Sequence, residues 1–288
     1  MRPTTSSANI TLLLLLAGLM QIALLALSPQ TARAQVASQE YGATRLDFAV
    51  PGGNGFVIKP TGPESSGPKA WLWYAPTFVQ SKPEKERYPN QALDWLFTRL
   101  LAKGVWIAGM DVGESWGNAQ GRKGYTQFYK LVRKKYHLSP RPCLLAQSRG
   151  GLMLYNWAAE HAHEVGCIAG IYPLTNLASW PNLGGDRILK AYGLSQEQMR
   201  KHLDKNNPID RLDPLARAHV PIFHIHGDAD KVVPLEQNTL EFMRRYQGLG
   251  GQGDVAVIHG KGHEEVPEYF HSQRLLDFLL RYLSAGGT

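Results

Sequence analysis

Ser148 stands where an apolar run ends and a pair of glycines begins, within residues 143 to 151, which read Cys-Leu-Leu-Ala-Gln-Ser-Arg-Gly-Gly. A serine can act as a nucleophile when a sharp strand-to-helix turn holds its oxygen exposed. Such a turn needs small residues two positions to either side. Ala146 and Gly150 meet this need, although Ala146 replaces the commoner glycine. The segment predicts a nucleophile turn at Ser148, and an ordinary strand-to-helix turn is the alternative.

Two later segments carry an acid and a histidine directly after strand-like runs. Residues 226 to 234 read His-Gly-Asp-Ala-Asp-Lys-Val-Val-Pro, and residues 260 to 263 read Gly-Lys-Gly-His. A carboxylate at Asp230 could accept the Nδ1 proton of His263, whose Nε2 could take the proton of Ser148. The chain order Ser, Asp, His is the one found in strand-turn-helix serine hydrolases. Together these residues predict acyl transfer through a catalytic triad.

The elements around these residues alternate between β-rich apolar runs and helical periodicity from about residue 70 to the end. This alternation predicts an α/β fold with a doubly wound, mostly parallel sheet covered by helices on both faces. Residues 46 to 58, with Pro51-Gly52-Gly53 in the middle, predict an antiparallel hairpin at the sheet edge. The predicted strands are residues 71–75, 105–110, 143–147, 167–172, 222–225 and 255–258, and the predicted helices are residues 90–101, 125–135, 151–161, 235–246 and 271–283.

With these motifs in place, residues 70 to 284 resemble the α/β-hydrolase superfamily. The segments after the last two strands are most similar to its dienelactone-hydrolase and prolyl-oligopeptidase-like branches. Those branches place the acid three residues after the glycine of a His-Gly pair, which corresponds to Asp230, with Asp228 as the alternative. The resemblance implies that His263 deprotonates Ser148, that an acyl-enzyme forms, and that water activated by the same histidine releases it.

The resemblance also implies two oxyanion donors. One is the backbone N–H of Arg149, the residue after the nucleophile. The other comes from the loop after the strand at residues 71–75, where this chain has Ala-Pro in place of the family's usual His-Gly. Because Pro76 has no N–H, Thr77 is the expected donor, and Phe78 is the alternative.

Several side chains are candidates for binding substrate. Glu114 and Trp116 follow the strand at residues 105–110 and open at the carboxyl edge of the sheet, where ligands bind in doubly wound folds. Their alternative role is an acid that pairs with Arg149 and an aromatic plug. The Arg149 side chain could instead bind a substrate carboxylate, since glucuronoyl esterases have a similar Ser-Arg pair. Weaker pocket candidates are Tyr172, Trp180 and Pro181.

An insertion interrupts the alternation, because nearly fifty residues, 173 to 220, separate two strands. Such an insertion is expected to form a cap over the site, with a surface excursion as the alternative. Cys143 and Cys167 open neighbouring strands at the end opposite the catalytic edge. They could form a disulfide in an oxidising compartment or remain two buried thiols.

The chain as a whole has 288 residues, of which 43% are hydrophobic and 19% charged, with a formal net charge of +7. This composition predicts one globular domain, residues 35 to 288. Residues 1 to 34 combine a basic start, an apolar run and Ala32-Arg33-Ala34, which predicts a cleaved secretory signal. An uncleaved anchor is the alternative. A secreted or periplasmic location follows, with no membrane span after cleavage.

Other functional classes lack their motifs. No zinc motif, nucleotide loop or basic-aromatic stretch is present, so no metal, cofactor or nucleic acid is expected. The sequence predicts a secreted serine esterase that acts on a small-molecule or polysaccharide-linked ester. Only about 35 residues separate the predicted cleavage point from the hydrolase strands, so an N-terminal gating domain is not expected and an ester is favoured over a peptide. A peptidase or amidase of the same mechanism, or a noncatalytic binding protein on this fold, are the alternatives.

Overall fold

The computed structural model describes residues 35–61, 67–79 and 87–285. The predicted signal segment, residues 1 to 34, lies outside the described residues. Across the described ranges, no helix combines the length and the apolarity that crossing a membrane requires.

A nine-stranded sheet forms the centre of the domain, with strands in the order β1-β2-β3-β5-β4-β6-β7-β8-β9. The first three strands and the β3–β5 pair are antiparallel, whereas every pair from β4 to β9 is parallel. The predicted mostly parallel α/β sheet and the antiparallel hairpin are therefore confirmed, but the hairpin is not the edge: an unpredicted strand, β1, pairs outside it. The strands are β1 Val36–Glu40, β2 Ala43–Val50, β3 Gly53–Lys59, β4 Trp71–Ala75, β5 Trp106–Asp111, β6 Cys143–Gln147, β7 Cys167–Ile171, β8 Ile222–Gly227 and β9 Gly253–Ile258.

Helices cover both faces of this sheet, and further short helices lie in the insertion between β7 and β8. The helices are α1 Asp94–Ala102, α2 Ala119–Tyr136, α3 Gly150–Glu160, α4 Asp186–Tyr192, α5 Gln196–Lys201, α6 Leu203–Asn206, α7 Asp213–Arg217, α8 Glu241–Gly248, α9 Pro267–Phe270 and α10 Gln273–Ala285, and a π-helical turn, Glu236–Leu240, leads into α8.

The central strand β4 shows why two helical layers are needed. Its side chains alternate between the two cores, with Trp71 and Trp73 in one and Leu72 and Tyr74 in the other. All four are fully buried. A strand that is apolar on both faces is stable only between two covering layers, and truncating one of these tryptophans to alanine would cost about 3 to 5 kcal/mol.

The helix α2 begins six residues earlier than its periodicity predicts, at Ala119 rather than Tyr125. Gly121 and Gly124 lower its helical propensity, which hides the first turns in the sequence. The Asn118 side chain caps the helix by accepting a hydrogen bond from the Gly121 N–H at 2.8 Å. Gly121 is required there because a Cβ would collide with Ser115.

The insertion at residues 173 to 220 folds as short helices around a small core of its own. That core is continuous with Leu152 on α3 and with Trp116 and Val233. Trp180 donates from Nε1 to the Val232 carbonyl at 2.6 Å and packs edge-on against Trp116. The insertion is thus attached to the helix after Ser148 and to the loop that carries Asp230.

The two cysteines occupy directly paired positions on β6 and β7, with Cα atoms 4.5 Å apart, and their sulfur atoms are bonded. Of the two states left open by the sequence, the structure has the disulfide. It lies at the amino ends of these strands, opposite Ser148.

Candidate active site

Ser148 follows β6 in a left-handed backbone conformation, with φ of +49°. Its N–H donates to the Ile171 carbonyl at 3.0 Å, and its carbonyl accepts from Gly151 and Leu174. Such a conformation is costly for a residue with a side chain and persists only where neighbouring structure holds it. The sharp turn predicted between strand and helix is present.

Glycines make this turn possible. A Cβ on Gly150 would collide with the Ala75 carbonyl, and a Cβ on Gly151 would collide with the Leu174 carbonyl. Both obstacles are backbone atoms, which cannot rotate away. The sequence requirement for small residues around Ser148 therefore reflects the close approach of the β4 end to the first turn of α3.

Three side chains from separate loops meet at the carboxyl edge of the sheet. The Ser148 Oγ lies 2.8 Å from His263 Nε2, and the His263 Nδ1 lies 2.8 Å from Asp230 Oδ2. This is the arrangement that the chain order Ser, Asp, His predicts. The alternative acid, Asp228, faces elsewhere: it accepts from His259 Nδ1 and from the Gly260 N–H.

The Asp230 carboxylate is fully enclosed. Its Oδ1 accepts from the backbone N–H groups of Val232 and Val233 at 2.9 and 2.8 Å. Burial raises the pKa of this carboxyl, but hydrogen bonding from His226, His263 and the Val233 N–H outweighs it and holds the pKa well below its usual range. Asp230 is therefore ionised across the neutral range and suited to orient an imidazole.

The His263 loop approaches β8 closely because residue 227 is glycine. A Cβ on Gly227 would collide with the Lys261 carbonyl and the Tyr269 hydroxyl. The Ala229 N–H donates to that same Lys261 carbonyl at 3.0 Å, and the Tyr269 hydroxyl donates to the Gly262 carbonyl at 2.9 Å. These contacts join the acid loop and the histidine loop into one unit.

The expected oxyanion donors lie on the two elements beside Ser148. Ala75 pairs with Ala146, so Thr77 follows the strand next to the nucleophile. Within the described part of the chain, neither the Thr77 N–H nor the Arg149 N–H has a hydrogen-bond partner. The alternative donor, the Phe78 N–H, is engaged with the Tyr88 carbonyl at 2.9 Å. Thr77 and Arg149 thus remain the predicted pair.

The cavity at Ser148 has a volume of about 240 Å³, and all of its lining residues except Pro76 carry polar side-chain atoms. Gln147 links its walls, because its amide accepts from the Tyr74 hydroxyl at 2.6 Å and donates to Tyr172 at 3.1 Å and Glu265 at 3.3 Å. The lining residues are Pro76, Tyr88, Gln147, Ser148, Arg149, Tyr172, His263, Glu264 and Glu265.

Two candidates for binding substrate are placed outside this cavity. The Glu114 carboxylate lies 3.2 Å from the Arg149 guanidinium, and Trp116 is 7% exposed within the core of the insertion. The Arg149 guanidinium also stacks over Phe78, with 4.7 Å between its carbon and the ring centre. A role in binding substrate stays a prediction for both residues. The geometry matches their alternative role as an acid paired with Arg149 and an aromatic plug.

Of the weaker pocket candidates, Tyr172 lines the cavity, whereas Trp180 and Pro181 do not. Gln147 and Glu265 were not among the residues predicted from the sequence. Both had a local signal, since each lies within two residues of a triad member. Tyr88 carried none, because only the antiparallel pairing of Phe78 with Tyr88 brings it to the cavity. Among the described residues, no three side chains of the types that bind metals are grouped as ligands.

Solved structures share this fold at low sequence identity. Dipeptidyl peptidase 4 from Porphyromonas gingivalis superposes with a TM-score of 0.64 and 14% identity over 87% of this chain, but the chain spans only 36% of its length. S-formylglutathione hydrolase from Agrobacterium tumefaciens gives 0.64 and 14% over 86% of this chain and 98% of that one. Est1E from Butyrivibrio proteoclasticus gives 0.58 and 15% over 88% and 100%. The sequences of curated proteins yielded no match.

The sequence model of the prolyl oligopeptidase family matches residues 110–286, a span that includes Ser148, Asp230 and His263. The solved structures share its α/β-hydrolase fold at 14 to 15% identity. The chain therefore belongs to the prolyl oligopeptidase family of serine hydrolases, within the α/β-hydrolase superfamily.

Proposed function

We propose that this protein hydrolyses carboxylic esters, with Ser148 as nucleophile, His263 as general base and acid, and Asp230 as the acid that orients the histidine. The observation that carries the proposal is the continuous line of 2.8 Å contacts from Ser148 through His263 to Asp230. In the first step, His263 Nε2 takes the Ser148 proton while Oγ attacks the acyl carbonyl. The imidazolium then protonates the leaving alkoxide.

In the second step, water takes the place of the alcohol. His263 removes its proton, the oxygen attacks the acyl-enzyme, and the proton returns to Ser148 Oγ as the carboxylic acid leaves. In both steps, the N–H groups of Arg149 and Thr77 would stabilise the tetrahedral oxyanion. Each such donor is worth about 3 kcal/mol of barrier. Asp230, buried and ionised, keeps the imidazole proton on Nδ1.

An ester substrate is supported by two observations. The cavity of about 240 Å³ suits a small group better than an extended peptide, and its amide, hydroxyl and carboxylate groups suit a polar one. The chain also spans the whole length of Est1E and nearly all of the S-formylglutathione hydrolase, whereas it spans only 36% of the dipeptidyl peptidase. In domain content it is therefore more similar to the first two proteins. The substrate would be a small-molecule ester or an ester carried on a polysaccharide.

Peptide or amide hydrolysis is the second candidate, favoured by the prolyl oligopeptidase family match. The purified protein should be assayed on p-nitrophenyl acetate and on aminoacyl p-nitroanilides, beside Ser148→Ala. Ester turnover that is lost in the variant, and that rises with pH through the range where histidines titrate, supports the proposal. Faster turnover of the anilides than of the ester would favour peptides or amides as the substrate class. Failure of Ser148 to react with a fluorophosphonate would favour a noncatalytic binding protein.

We also propose a secreted or periplasmic location. The signal-like pattern of residues 1 to 34 supports it, as does the Cys143–Cys167 disulfide, since disulfides persist mainly in oxidising compartments. Fractionation of expressing cells and N-terminal sequencing should find a mature chain that begins at Gln35. An intact Met1 on a cytosolic protein would contradict this.

A further inference from the structure

Beneath the catalytic edge lies a chain of buried polar side chains that the proposed mechanism does not use. His224 and His226 are on β8, Thr239 is on the π-helical turn, and Tyr155 is on α3. The two histidines and the threonine are completely buried, and Tyr155 is 1% exposed. Buried polar groups of this kind are retained only when they are hydrogen-bonded.

The partners of His226 determine its tautomer. Its Nε2 lies 2.9 Å from the Val233 carbonyl and 3.3 Å from Asp230 Oδ2. Both oxygens can only accept, because Asp230 is ionised. The Nε2 must therefore carry a hydrogen, which points to the Val233 carbonyl and lies beside the Asp230 oxygen that also accepts from His263.

The direction of each remaining hydrogen bond follows from the same count of donors and acceptors. In a neutral His226, Nδ1 is an acceptor, so the Thr239 hydroxyl 2.8 Å away must donate to it. With that hydrogen used, Thr239 Oγ1 can only accept from His224 Nδ1, which is 3.0 Å away. His224 Nε2 is then left as an acceptor for the Tyr155 hydroxyl at 2.6 Å. Every bond points the same way, from Tyr155 towards the catalytic acid.

The protonation equilibria agree with this direction. Burial holds the pKa of His224 well below its usual value, so the ring is neutral. Burial likewise holds the pKa of Tyr155 well above its usual value, which keeps the phenol as a donor. Neither His224 nor Tyr155 is charged near neutral pH, so neither reverses the direction of these hydrogen bonds.

We infer that His226 is a positioning residue for the catalytic acid, held as the Nε2-protonated tautomer by the chain from Tyr155 through His224 and Thr239. It acts in two ways. Its N–H holds the carbonyl of Val233, the residue whose own N–H binds Asp230 Oδ1. It also places a positive dipole beside Asp230 Oδ2, which shares that oxygen between two donors. The kinetic consequence of this inference rests on the proposed function, whereas the predicted tautomers of His226 and His224 are independent of it.

The first test is long-range ¹H–¹⁵N NMR of the histidine rings in the wild-type protein near pH 7, with His226→Phe and Thr239→Val for assignment. The expected result is a hydrogen on Nε2 of His226 and on Nδ1 of His224. A doubly protonated ring or an Nδ1-protonated His226 would overturn the inference, whether or not the protein hydrolyses esters.

The second test compares variants of His226 by ester hydrolysis as a function of pH. His226→Phe keeps a ring but removes the donor, and His226→Gln keeps a donor. The His226 donor lies beside Asp230, which also binds His263, and His224 is two residues away on the same strand. Glu264 and Glu265 line the cavity with His263. Tyr172 contacts the His263 ring from a third side, with 4.4 Å between ring centres.

Removing the donor concentrates negative charge on Asp230 Oδ2 and favours the imidazolium form of the catalytic histidine. His226→Phe should therefore lower kcat about tenfold with little change in KM, and move the acidic midpoint of the pH profile upward by up to ~1 unit. His226→Gln should recover most of both effects. A folded His226→Phe with wild-type kcat and an unmoved midpoint would overturn the inference.

Thr239→Val and Thr239→Ser decide the matter if His226→Phe does not fold. Valine removes the hydroxyl that ties the two histidines together, while serine keeps it. The expected result is a kcat about threefold lower for valine and near wild type for serine. Equal kcat values for the two variants would contradict the inference. A wild-type protein without hydrolysis would count against the proposed function alone, because the NMR test still applies.

Discussion

The turn at Ser148 and the loop at Asp230 hold their reactive groups by different means. At Ser148, backbone shape is decisive: a left-handed residue is fixed where glycines let α3 approach the ends of β4 and β7. At Asp230, side chains and loop N–H groups surround a buried carboxylate. A nucleophile needs its oxygen exposed in one orientation. A buried catalytic carboxylate instead needs hydrogen-bond donors that replace water around its charge. The two regions should therefore tolerate different substitutions.

The largest effect should come from Asp230→Asn. The amide cannot accept as the carboxylate does, and it favours the wrong imidazole tautomer, so kcat should fall by about 10⁴ while the fold is retained. Asp228→Asn is the matched control, since this carboxylate binds His259 and Gly260 rather than the catalytic histidine. Its kcat should fall less than tenfold. A larger loss at residue 228 than at residue 230 would exchange the two roles.

Substitution of a glycine in the turn at Ser148 should mainly lower the free energy of unfolding. Gly150→Ala places a Cβ against the Ala75 carbonyl, a backbone obstacle, so the free energy of unfolding should drop by about 3 kcal/mol or more. Urea denaturation measures this. Gly248→Ala in α8 meets nothing within 4 Å and should instead stabilise the protein by up to ~1 kcal/mol. Similar values for both variants would show that the turn can relax.

The contribution of Asp230 to stability should depend on pH. The folded-state pKa of Asp230 lies below that of the unfolded chain, so its stabilisation is present above about pH 4 and is lost as the pH falls towards the folded value. The wild type should therefore lose stability on acidification more steeply than Asp230→Asn, by on the order of 1 kcal/mol. Asp254→Asn, at an exposed aspartate, is the control. Parallel curves for the wild type and Asp230→Asn would contradict the prediction.

The smallest effect is expected for the ion pair beside the turn. Glu114 and Arg149 lie 3.2 Å apart with side chains 51% and 31% exposed, so solvent screens their attraction. A double-mutant cycle with Glu114→Gln and Arg149→Met should give a coupling free energy below about 1 kcal/mol. A coupling above ~2 kcal/mol would mean that side chains, and not only glycines, hold the turn.

Much of the site follows from local sequence because its signals are local. Ala146, Ser148 and Gly150 fall within five residues, and their sizes alone specify a strand-to-helix turn. The parallel sheet then brings Asp230 and His263 to the same edge, since carboxyl ends of parallel strands meet there. Chain order and periodicity bring the candidate acids and His263 to one edge, whereas the preference for Asp230 over Asp228 came from the family resemblance.

The directed chain behind Asp230 could not be predicted in this way. Tyr155, His224 and Thr239 come from three elements that touch only when α3, β8 and the π-helical turn pack together. The direction of their bonds depends on which atoms then face one another. Tyr88 reaches the cavity through a similar distant pairing, and the insertion packs beside the cavity instead of lining it.

The sequence by itself determined the fold class, the residue types of the triad and the glycines at the turn, because each depends on periodicity or on steric demands within a few residues. The tertiary structure decided which acid faces His263, which donors surround it and what lines the cavity. These are contacts between residues far apart in the chain, and their energies depend on distance and burial, which no local pattern records.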